Sequence, residues 1–269
     1  MSNDLVKNPA EHRAQASISS VTARVTLGRT GSSVSTAAQL QFQLDHAAAR
    51  DAVHTELDVA RLVSDLHQRG LHPITLRSAV SSQTNRSARG VYLRRPDLGR
   101  RLHPDAAREL TTLSQDGSAR GEIAFVLGDG LSALALERHA IALLDVATPL
   151  LASEGWRLTP VCVATQARVA LGDEIGSILK ASAVVMLIGE RPGLSSPDSL
   201  GVYITWAPRV GRTDAERNCI SNIRREGLSY TDAAERIVFY LRHARDLQGT
   251  GVALKWSAGP LTPLLQGDA

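Results

Sequence analysis

The sequence predicts an α/β protein in which a parallel sheet domain follows a mainly helical N-terminal region. Short apolar runs alternate with amphipathic stretches in the second half of the chain, as in proteins built from strand–helix–strand units. The runs lie at 123–127, 161–165, 183–188 and 202–206, and the stretches at 131–154, 169–181 and 231–247. The run Val184 to Ile188 is apolar at every position, which is typical of a strand covered on both faces. We therefore expect residues 121–269 to form a Rossmann-like domain.

The first part of the chain is predicted to be helical. Residues 1–20 are polar and lack sustained periodicity, so we expect a mobile tail. From Thr36, a capping-box pattern and apolar residues at helical spacing predict a helix that ends at Gly70, with a break inside it. Residues 78–104, rich in Ser, Arg, Gly and Pro, are predicted to be an irregular connection. The expected domains are therefore 1–20, 21–120 and 121–269.

Composition excludes several classes of protein. The 269 residues are 43% hydrophobic and 21% charged, which is a globular composition, and no apolar run approaches the roughly 18 residues of a membrane span. With 4% aromatic residues, a stacking platform for nucleic acid is not expected. Two cysteines cannot form a disulfide framework, and the chain does not begin with a signal-peptide pattern. We predict a cytoplasmic protein without nucleic-acid or membrane partners.

Positive charge is concentrated at residues 77–108, which carry eight arginines against two aspartates. One interpretation is a solvated or protein-facing loop whose arginines pair with carboxylates. A surface for a partner protein is the other main interpretation. No recognition motif accompanies the charge, so nucleic-acid binding is disfavoured.

The segment Gly128 to Ala133 has the form G-x-G-x-x-A between a predicted strand and a predicted helix, where a dinucleotide pyrophosphate would lie. The next strand does not end in the acidic residue that a nicotinamide site needs, although Arg168 could meet a 2′-phosphate. One hypothesis is therefore an NADP-linked oxidoreductase. The other is a tight turn in which Asp129 caps the helix.

Two histidine patterns are weak metal candidates. Residues 65–70 fit D-x-H-x-x-G, the spacing by which some cobalamin proteins present a histidine to cobalt, but here they close a predicted helix. A polar stripe of His46, Arg50, His54 and Asp58 also recurs along the first helix. The two histidines of the stripe lie eight residues apart, about 80° around the helix, so they cannot easily share an ion. We predict no metal ligand in this chain.

Three segments are expected at one edge of the sheet: Arg168 with Val169, the loop from Gly189 to Gly193, and the stretch 218–223. Ligands of open α/β sheets bind at the carboxyl ends of the strands, so Val169, Glu190 and Cys219 are predicted to converge. An acceptor, a small thiol and an aliphatic side chain suit a broad ligand rimmed by amides. The alternative is a buried thiol and a salt-bridged Glu190.

Five segments together give a specific resemblance to a known family. They are Leu-Gly-Arg-Thr-Gly at 27–31, Ala-Arg-Asp-Ala-Val-His at 49–54, Gly-Asp-Gly-Leu-Ser-Ala at 128–133, Ile-Gly-Glu-Arg-Pro-Gly at 188–193 and Cys-Ile-Ser-Asn-Ile at 219–223. In their order and spacing the chain resembles the small subunit of adenosylcobalamin-dependent ethanolamine ammonia-lyase, from residue 25 to about 255.

The resemblance implies a role at a subunit interface. It implies that a Rossmann-like domain covers adenosylcobalamin against a large barrel subunit, which holds ethanolamine and carries out most of the chemistry. By resemblance Val169, Glu190 and Cys219 contact the cofactor, and no residue of this chain is a catalytic acid or base. The implied reaction converts ethanolamine to acetaldehyde and ammonia through an adenosyl radical. This carbon–nitrogen lyase is expected to work only as a hetero-oligomer, with residence in a bacterial microcompartment as a family-level expectation.

Overall fold

The computed structural model describes residues 29–30, 33–82 and 88–256. The predicted tail at 1–20 lies outside these residues. The strands are β1 (Arg29–Thr30), β2 (Ser33–Val34), β3 (Ile74–Arg77), β4 (Ile123–Gly128), β5 (Cys162–Thr165), β6 (Ala183–Gly189), β7 (Leu200–Trp206) and β8 (Asn218–Ile223). The α-helices are α1 (Thr36–His54), α2 (Val59–His67), α3 (Ala88–Arg94), α4 (Pro104–Gln115), α5 (Ala133–Ser153), α6 (Leu171–Leu179) and α7 (Tyr230–Leu247).

Six strands form one mixed sheet in the order β3-β5-β4-β6-β7-β8. The first four strands in this order are parallel, which confirms the α/β class. The prediction that 202–206 continues the parallel sheet is wrong, because β7 runs antiparallel to both β6 and β8. Only ten residues join β6 to β7, and a parallel neighbour needs a crossover of a dozen or more.

Helices cover the two faces of the sheet unequally. One face packs its apolar side chains against α5 and α7 along the whole width from β5 to β8. The other face is covered by α4 and α6 over β4, β5 and β6, so β4 and β6 are buried at every position. On β8 burial alternates: Asn218 and Ile220 are buried, whereas Cys219 and Ser221 are exposed. Among the described residues no helix packs over these two side chains, so this face is open at the β8 edge.

The N-terminal region is mainly helical, as predicted, and the expected break in its first helix separates α1 from α2. Ser35, rather than Thr36, caps α1 by accepting a hydrogen bond from the amide of Ala38. The sequence analysis missed β3, which pairs with β5 at the edge of the sheet, and it missed α3 inside the connection predicted at 78–104. The division of the chain after residue 120 stays a prediction.

Several arginines of the segment 77–108 pair within it. Arg77 and Arg108 both contact Asp105, and Arg95 contacts Asp97. For these residues the interpretation as a solvated, ion-paired surface holds. None of the described helices is long and apolar enough to cross a membrane.

Candidate functional site

A cavity of about 440 Å³ opens where β4, β5 and β6 end. Its walls combine glycine backbone, apolar side chains and two arginines, and they include Gly130, Gly189, Val169, Glu190, Arg168 and Arg191. Gly130 has a φ of +57°, and a Cβ there would meet the carbonyl oxygen of Gly189 at 2.2 Å. Glycine is therefore required at this turn, because the loop after β4 packs directly against the end of β6.

Glu190 follows β6 and is held in one position by the neighbouring strands. Its carboxylate accepts hydrogen bonds from the Ser199 hydroxyl at 2.5 Å, the Ser221 hydroxyl at 2.6 Å and the Asn222 amide at 3.2 Å. Gly201 leaves room for it, since a Cβ there would lie 3.0 Å from the Glu190 Cγ. No salt bridge to Glu190 occurs among the described residues, so the salt-bridged alternative is not supported. The carboxylate is a fixed acceptor at the rim of the cavity.

Cys219 lies within strand β8 and not in a loop beyond β7, so its predicted position at a strand end is wrong. It pairs with Tyr203 of β7, which lines the first cavity, while Cys219 itself lines a neighbouring cavity of about 480 Å³. The Cys219 Sγ is 3.6 Å from the Ser221 hydroxyl, which in turn reaches Glu190. The structure thus brings Val169 and Glu190 into one cavity and connects Cys219 to it through Ser221.

Both groups of the cross-strand pair stay neutral at ordinary pH. Partial desolvation in the sheet surface raises the pKa of the Cys219 thiol, although the residue as a whole is exposed, and the Ser221 and Tyr203 hydroxyls act in the opposite direction. Burial likewise raises the pKa of the Tyr203 phenol, and the thiol beside it adds to the effect. The thiol is therefore mainly uncharged and is not an activated nucleophile.

Val169 stands in the turn that begins α6. Its carbonyl oxygen accepts a hydrogen bond from the amide of Gly172, and its half-buried side chain packs against the apolar cluster under this face of the sheet. The Val169 side chain lines the same cavity as Glu190. It contributes an apolar contact with no polar group to satisfy.

The Gly128 to Ala133 turn is not arranged as a dinucleotide site. The amide of Leu131 donates to the carbonyl oxygen of Gly189 at 2.9 Å, and the Ser132 hydroxyl donates to the carbonyl oxygen of Pro197 at 2.8 Å. The loop after β6 thus occupies the start of α5, where a pyrophosphate would lie. The NADP-linked alternative is therefore not favoured.

The other reading of this turn, with Asp129 as the helix cap, is also wrong. Ser132 caps α5, and the buried Asp129 carboxylate instead accepts a hydrogen bond from the amide of Ala167 at 2.9 Å, with the Arg89 guanidinium 3.4 Å away. Burial raises the pKa of Asp129, while these two donors oppose the rise. Asp129 therefore ties the loop after β4 to the loop after β5.

The two histidine patterns fall at ordinary positions in the helices. His67 is the last residue of α2 and is exposed, so the D-x-H-x-x-G motif closes a helix, as expected. In the predicted stripe, Asp58 is not on the first helix but caps α2 through the amide of Arg61. Within the described ranges no three His, Cys, Asp or Glu side chains are grouped to bind a metal ion.

Several residues at the site were not identified from sequence. Tyr92 of α3 is fully buried beside the cavity and donates its hydroxyl hydrogen bond to the carbonyl oxygen of Ala167 at 2.8 Å. Ser199 and Ser221 hold Glu190, and Tyr203 faces Cys219. The sequence of residues 218–221, Asn-Cys-Ile-Ser, does not alternate between polar and apolar residues, so it offered no clear signal for the open face of this strand.

Comparison with known proteins gives a consistent result. The chain matches the model of the family described as ethanolamine ammonia-lyase light chain (EutC) over residues 12–255. It is 54% identical over 248 residues to an ethanolamine ammonia-lyase small subunit of Xanthomonas campestris pv. campestris, covering 91% of this chain and 88% of the relative. A protein of the same name from Azotobacter vinelandii is 52% identical over 233 residues, covering 87% of this chain and 84% of the relative.

Proposed function

Because the chain belongs to the ethanolamine ammonia-lyase light-chain family, we propose that its cavity at the end of β6 holds adenosylcobalamin against a large subunit that carries ethanolamine. The observation that supports this most directly is the rim of the cavity. There the fixed Glu190 carboxylate, Ser221 and Cys219 form a continuous row that leads from the cavity onto the open face of β8. A partner is implied by the relatives' name, since each is a small subunit.

The residues present fit a corrin ring. The flat macrocycle is too large for a cavity of about 440 Å³. Only one edge of the ring can therefore enter the cavity, and the rest of the ring must lie along an open surface of the protein. Gly130 and Gly189 line the cavity, and their loops pack directly against each other. Peripheral amides of the ring are donors, and Glu190 is an acceptor whose lone pairs exceed its present bonds. The side of the ring turned away from this chain needs a second protein to exclude water.

Bound adenosylcobalamin would supply the radical chemistry for converting ethanolamine to acetaldehyde and ammonia. The part of this chain is to bind, orient and shield. Glu190 accepts hydrogen bonds from the ring amides, and its own donors on Ser199 and Ser221 keep it from rotating away. Val169 keeps water from one wall of the cavity, and the neutral Cys219 permits close contact. We assign no catalytic acid or base to this chain.

Substitutions that change the size or the charge of side chains at the rim of the cavity test this proposal. The purified chain, reconstituted with its large subunit and adenosylcobalamin, is passed over a gel-filtration column, and corrin absorbance is read with the protein peak. We expect Cys219→Trp to give a colourless complex, because the indole fills the space of the ring. Its matched control, Cys219→Ala, is expected to retain the cofactor. Glu190→Gln should weaken binding about ten-fold, because a charge-assisted hydrogen bond is lost.

Retention of stoichiometric corrin by both Cys219→Trp and Glu190→Gln would overturn the assignment of these contacts. Saturable binding of NADPH to the chain, without cobalamin-dependent release of ammonia from the reconstituted complex, would instead favour the oxidoreductase. A complex that fails to form between the two subunits would contradict the interfacial site itself. Folding of each variant is checked by its circular dichroism spectrum.

We also place the chain in the cytoplasm, with residence in a microcompartment as the more specific proposal. Both cysteines are free thiols, which suits a reducing compartment. Fractionation of cells that produce the chain tests this proposal. The chain should sediment with microcompartment shells, and it should stay in the supernatant when the shell genes are absent. Sedimentation that is the same in both cells would contradict it.

A further inference from the structure

The cavity is lined by two arginines, Arg168 and Arg191, neither of which forms an ion pair among the described residues. Arg168, the residue before Val169, stacks its guanidinium carbon 4.2 Å from the centre of the Tyr92 ring. Its one side-chain hydrogen bond among the described residues goes to the carbonyl oxygen of Tyr92 at 3.4 Å. The Nε atom is buried and has no hydrogen-bond partner within the described part of the chain. The guanidinium is thus held in place while most of its donors stay unused.

Arg191 adds a second positive charge to the same cavity. It is exposed, and within the residues that the structure describes it makes no ion pair. Asp129, in the loop after β4, is paired with Arg89. Glu190 accepts hydrogen bonds from neutral groups and forms no ion pair with either arginine among the described residues. Some other arginines of the chain do form local ion pairs, as Arg95 does with Asp97. The charge at this cavity is therefore available to an anion from outside the chain.

The geometry suits an anion that offers two neighbouring oxygens, as a phosphate group does. A guanidinium fixed by stacking on an aromatic ring presents its donors in a rigid fork, which matches two oxygens of one phosphate. The start of α6, three residues after Arg168, adds a weaker favourable potential for the same charge. The amide carbonyls around a corrin ring can accept hydrogen bonds from arginine, whereas a phosphodiester gains hydrogen bonds that are assisted by its charge.

Adenosylcobalamin carries one phosphodiester, in the tail that links its lower base to the ring. We infer that Arg168, assisted by Arg191, binds this phosphodiester, so that the cofactor lies with its tail towards Tyr92 and a ring edge towards Glu190. This inference rests on the proposed function and deepens it by fixing the orientation of the cofactor. Arg168, which sequence analysis considered only for a 2′-phosphate, becomes a determinant of cofactor specificity.

Two truncated cofactors test the inference on the reconstituted two-subunit complex. Adenosylcobinamide lacks the phosphate, the ribose and the base, and adenosylcobinamide phosphate restores the phosphate alone. Equilibrium titration followed by corrin absorbance gives a dissociation constant for each. For the unaltered complex we expect the phosphate form to bind about ten-fold more tightly, as for a charge-assisted contact. In Arg168→Gln the two constants should become equal, and in Arg191→Gln the advantage should fall to about three-fold.

The controls separate this contact from folding and from the proposed function. Arg94→Gln, on the exposed side of α3, should keep the full advantage of the phosphate form. Arg168→Lys preserves the charge without the fork and should keep part of it. Equal constants in the unaltered complex, or an undiminished advantage in Arg168→Gln, would overturn the inference while adenosylcobalamin still binds. Failure of the unaltered complex to bind any of the three corrins would overturn the proposed function as well.

Discussion

The two halves of the sheet differ in what covers them. In the parallel half, β4, β5 and β6 are buried under helices on both faces, and the central strands β4 and β6 are apolar at every position. The antiparallel half, β7 and β8, is covered by α7 on one face and shows Cys219 and Ser221 on the other. One sheet can therefore combine a buried core with an open docking surface. Buried and exposed side chains begin to alternate where the helical cover ends.

The largest effect is expected from a truncation in the parallel half. Phe125, in the middle of β4, is fully buried, so Phe125→Ala should lower the free energy of unfolding by about 3–5 kcal/mol. Tyr203→Ala is the aromatic counterpart in the antiparallel half. It should cost only about 1–2 kcal/mol, because its side chain is already half exposed. Urea unfolding followed by circular dichroism gives both values. Equal losses would show that the halves do not differ in packing.

A buried ion pair connects the two halves. Asp173 on α6 contacts Arg217, which immediately precedes β8, and both side chains are 2% exposed. Asp173→Ala should cost about 3 kcal/mol, because the buried guanidinium loses its buried carboxylate and keeps only the exposed one of Asp214. The double variant Asp173→Leu with Arg217→Met should regain most of this loss. A double variant as unstable as the single one would mean that the pair itself, and not the stranded charge, supplies the stability.

The loop that reverses the sheet from parallel to antiparallel is anchored by His139. Its Nε2 lies 3.3 Å from Asp198, its Nδ1 lies 2.8 Å from the Tyr230 hydroxyl, and Arg138 also contacts Asp198. A neutral imidazole satisfies both contacts, by donating to the carboxylate and accepting from the phenol. Burial lowers the pKa of His139 below its ordinary value, and the neighbouring Asp198 only partly opposes this.

This shift gives a pH dependence with a definite sign. When the pH falls through about 6.5, the unfolded chain takes up a proton on His139 and the folded chain does not, so stability falls. Asp198, whose pKa is lowered, acts only at more acidic pH. We expect the free energy of unfolding to fall less between pH 8 and pH 5.5 in His139→Gln than in the unaltered chain. An equal fall would remove His139 as the cause.

The smallest effect on stability is expected at the open face. Cys219→Ala should change the free energy of unfolding by less than about 0.5 kcal/mol, because the residue is exposed. The isolated native chain should react with a thiol reagent at one of its two cysteines, since burial raises the pKa of Cys162 to about 12. Cys219→Ala should abolish this reaction, and assembly with the large subunit and adenosylcobalamin should slow it. A reaction rate unaffected by assembly would show that the open face stays uncovered.

Sequence reasoning succeeded where one local pattern determined one element. The four apolar runs are β4 to β7, and the three amphipathic stretches are α5, α6 and α7, because helical and strand periodicities are properties of short windows. It failed for β3, a four-residue strand with only Leu76 fully buried, whose pairing depends on a strand far along the chain. Strand direction was also missed, since apolarity does not distinguish a parallel neighbour from an antiparallel one.

The candidate site shows the same division. Val169 and Glu190 were placed together from the rule that ligands meet the carboxyl ends of strands, and the cavity contains both. The contribution of Ser199, Ser221 and Tyr92 could not be predicted, because each reaches the site through tertiary contacts across more than one element. Their short polar or aromatic side chains carry no spacing that a sequence pattern could detect.

The pairing of β3 with β5 also has a consequence for biosynthesis. Ile74 faces Cys162, a partner that leaves the ribosome 88 residues later. At a translation rate of about 5–20 residues per second, that interval lasts roughly 4–18 s. Throughout it the nascent chain exposes an unpaired strand, and the exposed Arg77 and Thr75 side chains keep that strand from recruiting neighbours.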